Sequence, residues 1–123
     1  IENLIHLAET VLQPVREHFG KPVAISSGYR SPELCEAIGS SAKSQHAKGE
    51  AADFEIPGVD NMQLAMWISK NTIFDQLILE YYEPGDPNSG WVHCSAVKEG
   101  PRAQVLKATK VEGKTKYENI LLV

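Results

Sequence analysis

Two short segments, far apart in the chain, most strongly constrain the fold. Each alternates apolar and polar residues, which is typical of a β-strand with one side in the core. Asp53 lies between two apolar residues of segment 51–56, and His93 lies between Val92 and Cys94. Successive side chains of a strand point to opposite faces. Asp53 and His93 are therefore both expected to face away from the core.

A second histidine, His46, precedes the first of these segments, and Gly49 between them permits a tight turn. Zinc that takes part in chemistry usually keeps three protein ligands and leaves one position for water, and it accepts imidazole nitrogen and carboxylate oxygen. A lone histidine or aspartate on a strand is usually a hydrogen-bonded surface group. The combination of His46, Asp53 and His93 indicates instead one site for one zinc ion.

Composition limits the class of protein. A chain of 123 residues with 42% hydrophobic residues predicts one domain, residues 1–123, and we expect a monomer. The net charge of −4, with acids and bases interspersed, excludes the basic face of a nucleic-acid binder. No apolar run approaches the ~20 residues of a membrane span, so membrane insertion is not expected. Cys35 and Cys94 are too few for a disulfide framework and are expected to be small core residues.

Hydrophobic periodicity and turn residues predict the remaining elements. The predicted helices cover residues 2–19, 33–38 and 61–71, and further strands cover residues 23–27, 74–82 and 117–123. Pro14 removes a hydrogen bond from the first helix, so we expect a bend or a division there. Strand 74–82 and the His93 segment flank a turn-rich stretch, 83–90, and predict an antiparallel hairpin. The fold class is α+β, with a mainly antiparallel sheet and helices packed on one side.

Three motifs resemble one known family. The pattern Ser44-x-His46-x-x-Gly49-x-Ala51-x-Asp53, followed by Trp91-Val92-His93, resembles the zinc D-alanyl-D-alanine carboxypeptidase and murein endopeptidase family, peptidase M15, especially its small phage-type members. The segment Ser26-Ser27-Gly28-Tyr29-Arg30-Ser31-Pro32 looks like the upstream signature of that family. The pieces occur in the family's order over residues 23–95, and the fold of the family is similar to that of the hedgehog signalling domain.

The resemblance implies hydrolysis of peptide bonds in the stem peptides of bacterial peptidoglycan, with zinc-bound water as the nucleophile. Both D,D-carboxypeptidase and endopeptidase activity stay open. It places the action at the cell wall, in the periplasm or outside the cell, and is consistent with a phage or prophage origin. His46, Asp53 and His93 would hold zinc, and Arg30 would grip the substrate through its planar fork of donors. Gln45 would hydrogen-bond substrate or ligand, and Trp91 would line the cleft, cover the metal or lie in the core.

The general base departs from the pattern of the family. Many relatives place an acidic residue three positions before the last histidine, where this chain has Gly90. Our hypothesis is Glu80, because antiparallel pairing in the predicted hairpin would return it close to His93. Glu83 and Asp86, in the hairpin tip, are the alternatives.

A rival hypothesis assigns no catalysis. The same fold and ligands would suit a catalytically inactive, zinc-stabilised domain that binds cell wall or has a structural role, for instance in a phage tail. A third possibility is a purely structural metal, whose removal would unfold the protein.

Overall fold

A computed structural model describes residues 2–27, 45, 48–86 and 89–120 of the chain. The helices are α1 Glu2–Leu7, α2 Gln13–Phe19 and α3 Asn61–Asn71. The strands are β1 Ala24–Ser27, β2 Ala51–Glu55, β3 Gln76–Glu80, β4 Trp91–Ser95, β5 Gln104–Val111 and β6 Lys114–Asn119. The predicted helix 33–38 and Cys35 lie outside the described residues.

The six strands form one sheet in the order β1-β2-β4-β3-β5-β6. All neighbouring strands pair antiparallel except β3 and β5, which are parallel. Strand β2 occupies the outer side of β4, so the chain crosses after β4 to the free side of β3 and adds β5 there. The predicted α+β fold with a mainly antiparallel sheet is confirmed.

The helices and the sheet share one main core. Its fully buried members come from both, namely Leu7, Val11, Val15, Phe54, Leu64, Ile68, Leu77, Leu79, Val92 and Cys94. These strand residues occupy the alternate positions that point to one face. The described helices therefore pack on one side of the sheet, as predicted, and Cys94 is a free, buried core residue, also as predicted. The opposite face of the sheet does not contribute to this core.

The first helix is divided next to Pro14. A π-helical stretch, Ala8–Leu12, joins α1 to α2, and the Gln13 N–H donates to the carbonyl of Ala8, five residues earlier. Pro14 has no N–H and lies in the first turn of α2, where proline is tolerated. The predicted division is confirmed, and it takes the form of a π-turn within one continuous helical run.

The second half of the sheet differs from the prediction. The apolar segment 117–123 was expected to be the last strand, but β6 covers the polar residues Lys114–Asn119. Glu112 and Gly113 both have positive φ, 52° and 79°, which is the backbone of a two-residue hairpin turn. This turn fixes the register of β6 against β5, so the strand begins directly after the turn, three residues before the predicted segment.

In the described part of the chain, every helix is too short or too polar to cross a membrane.

Candidate metal and catalytic site

Strands β2 and β4 place Asp53 directly opposite His93. Both side chains lie on the face away from the helices, because their neighbours in sequence fill the core. His93 Nδ1 lies 2.9 Å from Asp53 Oδ1, at hydrogen-bonding distance. Asp53 is buried, with 8% of its surface exposed, and His93 is half-buried. The predicted pairing of these two side chains across the sheet is confirmed.

Glu80 joins this pair from the neighbouring strand. The β3–β4 register puts Ile78 opposite His93 and Glu80 opposite Trp91, so Glu80 lies on the same face of the sheet. One potential ligand atom from each of Asp53, Glu80 and His93 lies within 4.8 Å of the other two. The hairpin thus returns Glu80 close to His93, as the sequence predicted.

The donor set of this cluster suits a zinc ion. Two carboxylates and one imidazole match the oxygen and nitrogen ligands that zinc accepts. Ligand atoms at about 2.1 Å from a tetrahedral zinc lie roughly 3.4 Å apart, a spacing compatible with the 4.8 Å limit of the cluster. The residues present therefore fit the metal.

The surroundings of Gly90, three residues before His93, leave no room for an acidic side chain at this position. Its φ is +65°, and a Cβ added there would lie 1.9 Å from the backbone oxygen of Glu80 and 2.8 Å from the carbonyl carbon of Tyr81. No side chain fits between these groups without moving the hairpin. The backbone of Glu80 thus closes this position, while the Glu80 side chain brings a carboxylate to the cluster from the paired strand.

The other predicted site residues are placed as follows. His46 and Arg30 lie outside the described residues. The Gln45 amide nitrogen donates to Asp75 Oδ2 at 2.8 Å. Glu83 and Asp86 lie exposed in the hairpin tip, where they form a β-bridge with each other, and neither belongs to the cluster of three potential ligands.

Comparison with known proteins decides the family. The family model described as Peptidase M15 matches residues 2–95, which is most of the chain and includes Asp53, Glu80 and His93. The chain belongs to the peptidase M15 family. Members of this family are metal-dependent peptidases, and the cluster of Asp53, Glu80 and His93 could hold the metal. A search of curated proteins finds no match.

A groove of this M15 peptidase lies at the β3–β4 hairpin, where Trp91, the strand partner of Glu80, forms part of its wall. Its volume is about 620 Å³, and it is lined by Tyr81, Tyr82, Glu83, Gly90, Trp91, Thr109 and Lys110. Tyr81 and Trp91 have ring centres 5.4 Å apart. The indole Nε1 of Trp91 is buried and has no hydrogen-bond partner among the described residues. Trp91 thus lines this groove and is not a member of the main core described above.

The β5–β6 hairpin adds a tyrosine that sequence reasoning missed. Tyr117 lies opposite Ala108, and Ala108 lies opposite Glu80, so the three form one row across the sheet. Partial desolvation, and then the nearby charge of Glu80, raises the pKa of Tyr117, although 55% of its surface is exposed. The Glu112-Gly113 turn was the signal that could have revealed this strand. The hairpin lies beyond the part of the chain that the family model matches.

Proposed function

We propose that this M15 peptidase is a zinc enzyme that hydrolyses peptide bonds in the stem peptides of bacterial peptidoglycan, as a D,D-carboxypeptidase or an endopeptidase. The observation that carries the proposal is the cluster of Asp53, Glu80 and His93 on the face of the sheet away from the described helices. The peptidoglycan substrate follows from the resemblance of the sequence motifs. We propose that the enzyme works as a monomer at the cell wall.

Two protein ligands come from the strands, and we propose His46 as the third. Asp53 and His93 face each other at 2.9 Å, whereas Glu80 lies one strand further along, beside the groove. With His46 as a ligand, Glu80 is left for proton transfer. Four protein ligands, with Glu80 among them, would instead give the closed coordination of a structural site.

In this proposal the metal and Glu80 have different tasks in the reaction. Bound zinc would supply a Lewis acid that lowers the pKa of water and polarises the scissile carbonyl. Glu80 accepts a proton from the attacking water as the new C–O bond forms. It returns that proton to the amine as the C–N bond breaks, so one carboxylate serves as base and then as acid.

We propose that two further side chains bind the substrate. We propose that Trp91 forms one wall of the groove, where its indole ring packs against the ring of Tyr81. Arg30 would grip a substrate carboxylate or carbonyl through two parallel hydrogen bonds. Gln45 was proposed to touch substrate as well, but the contact described for its amide nitrogen is with Asp75.

Metal binding gives the first test. We expect the purified protein to bind one Zn²⁺, and both Asp53→Ala and His93→Ala to weaken its affinity by on the order of 100-fold or more. Loss of a mere outer-shell partner already costs about 10–100-fold, and a direct ligand contributes more. Competition with a chromophoric chelator measures the dissociation constants.

His6→Ala is the matched control, because His6 lies on α1, and the described helices pack on the face of the sheet opposite the cluster. It should bind zinc like the wild type, and circular dichroism should show native folding for all variants. Wild-type affinity in His93→Ala would contradict the proposed site. Complete unfolding of the wild type on chelation would favour the purely structural metal.

A further inference from the structure

Strand β5 continues beyond the end of its neighbour β3. Glu80, the last residue of β3, lies opposite Ala108, whereas β5 runs on to Val111. Tyr81 has a positive φ of 54°, so the chain leaves the extended conformation directly after β3. The Tyr81 N–H still donates to the Ala108 carbonyl at 2.9 Å. Beyond Ala108, therefore, β3 no longer covers the edge of β5.

The backbone of Lys110 points toward this uncovered edge. In an antiparallel ladder, residues whose N–H and C=O face the partner strand alternate with residues whose groups face away from it. Val111 pairs with Lys114 across the two-residue turn, so its backbone faces β6 and that of Lys110 faces the other way. The Ala108 carbonyl, two residues earlier, has the same direction, because it accepts from Tyr81. Among the described residues, no hydrogen bond joins the Lys110 backbone to Tyr81 or to the hairpin tip.

The groove at the β3–β4 hairpin lies along this edge. The residues that line it include Lys110 from β5 and Trp91 from β4, and its volume of about 620 Å³ is typical of ligand pockets. Tyr81, another lining residue, is held against the β5–β6 hairpin. Its hydroxyl lies 2.6 Å from Thr115 Oγ1, and its ring centre lies 6.0 Å from Lys110 Nζ. These contacts fix the wall of the groove relative to the edge of β5.

We propose that the open edge of β5 at Lys110 binds the substrate peptide as an added strand. An extended peptide in the groove would accept a hydrogen bond from the Lys110 N–H and donate one to the Lys110 carbonyl. It would continue the line of β3, whose last residue is Glu80, the proposed base. The inference rests on the proposed peptidase function. It also gives a role to the β5–β6 hairpin, which lies outside the residues matched by the family model.

The short length of this edge favours a peptide over a second copy of the chain. Between Ala108 and the Glu112-Gly113 turn, Lys110 alone directs its backbone to this side, so the edge offers one donor and one acceptor. Strands that pair within sheets usually have ~3–10 residues. Lysine on an edge strand also opposes pairing between copies. The Lys110 ammonium, in contrast, suits a peptide that carries a carboxylate.

Replacing Lys110 with proline removes the N–H at this edge. The fold should tolerate it, because that N–H does not belong to the β5–β6 ladder. Lys110→Ala is the matched control, since it removes the side chain and keeps the N–H. For a soluble stem peptide, we expect the KM of Lys110→Pro to be about 3–10-fold above that of Lys110→Ala, the usual effect of one hydrogen bond. The kcat and the zinc affinity of the two variants should be equal.

Amide hydrogen exchange tests the same edge without a substitution in β5. In zinc-loaded Glu80→Gln, a saturating stem peptide should slow the exchange of the Lys110 amide, while the Thr109 amide, which faces β6, serves as the internal reference. Equal KM values in folded Lys110→Pro and Lys110→Ala would overturn the inference. So would an unchanged exchange rate of the Lys110 amide, or its protection by dimer formation without peptide. If the wild type cleaves no peptide, the proposed function fails and the inference fails with it.

Discussion

Glu80→Gln should reduce peptide hydrolysis by roughly 10²–10⁴-fold while leaving zinc bound, because proton transfer by a positioned side chain contributes about that factor. Glutamine keeps the shape of the side chain but cannot accept a proton from water. Glu80 lies in the cluster with Asp53 and His93, so the loss should appear in kcat rather than in folding. Initial rates of amine release, with zinc affinity measured on the same samples, test this expectation.

Two further carboxylates provide the comparison. Glu118→Gln changes an exposed strand carboxylate that is paired with Lys116, and it should hydrolyse peptide at the wild-type rate. Glu83→Gln tests the alternative base in the hairpin tip. If Glu83→Gln loses turnover and Glu80→Gln keeps it, the assignment of the base is wrong. If Glu80→Gln loses zinc as well as turnover, Glu80 is a metal ligand.

Gly90→Ala should strongly destabilise the protein. The methyl group would lie 1.9 Å from the Glu80 carbonyl oxygen, and the residue would also keep a positive φ of 65°. Neither the backbone at Gly90 nor the backbone at Glu80 can move without breaking the pairing of β3 with β4. We expect a loss of about 4 kcal/mol or more in the free energy of unfolding, which belongs to the severe class of substitution effects. The melting temperature should fall by roughly 10–20 °C.

Gly85→Ala separates the steric effect from the backbone effect. Gly85 lies in the same hairpin with a φ of 93°, but an added Cβ would meet nothing within 4 Å. It should therefore cost only the conformational strain, about 1–2 kcal/mol. Urea and thermal unfolding of the two variants side by side measure the difference. Equal losses of stability would show that the close approach to Glu80 does not matter.

The strand pattern predicted the centre of the site because strand periodicity is strict. Once Val92 and Cys94 are in the core, His93 must face the other side, and the same argument places Asp53. The hairpin prediction brought Glu80 to the same face for the same reason. These positions depend on the alternation of apolar and polar residues and on the antiparallel pairing of β3 with β4. Both can be predicted from the sequence.

The features that sequence reasoning missed depend on contacts between distant residues. Strand β6 is exposed along its whole length, so it has no apolar alternation, and only the Glu112-Gly113 turn marks it. The ion pair of Asp75 and Arg102 joins residues 27 positions apart without a spacing pattern. Arginine and aspartate are common surface residues, and neither reveals its partner. Tyr117 reaches the site face only because β5 crosses to the far side of β3.

The inactive, zinc-stabilised module remains the rival to an enzyme, because fold and ligands alone do not establish activity. Both accounts expect zinc at Asp53 and His93. They differ in whether a peptide bond is broken, and they differ in the role of Glu80.

The most direct test is mass spectrometry of muropeptides after purified peptidoglycan has been incubated with the protein, in zinc and in chelator. We predict shortened or separated stem peptides with zinc, none with chelator, and recovery when zinc is restored. Loss of a terminal residue would identify a carboxypeptidase, and cleavage within or between stems an endopeptidase. If the zinc-loaded, folded protein binds peptidoglycan but leaves every stem peptide intact, the peptidase account is contradicted and the binding module takes its place.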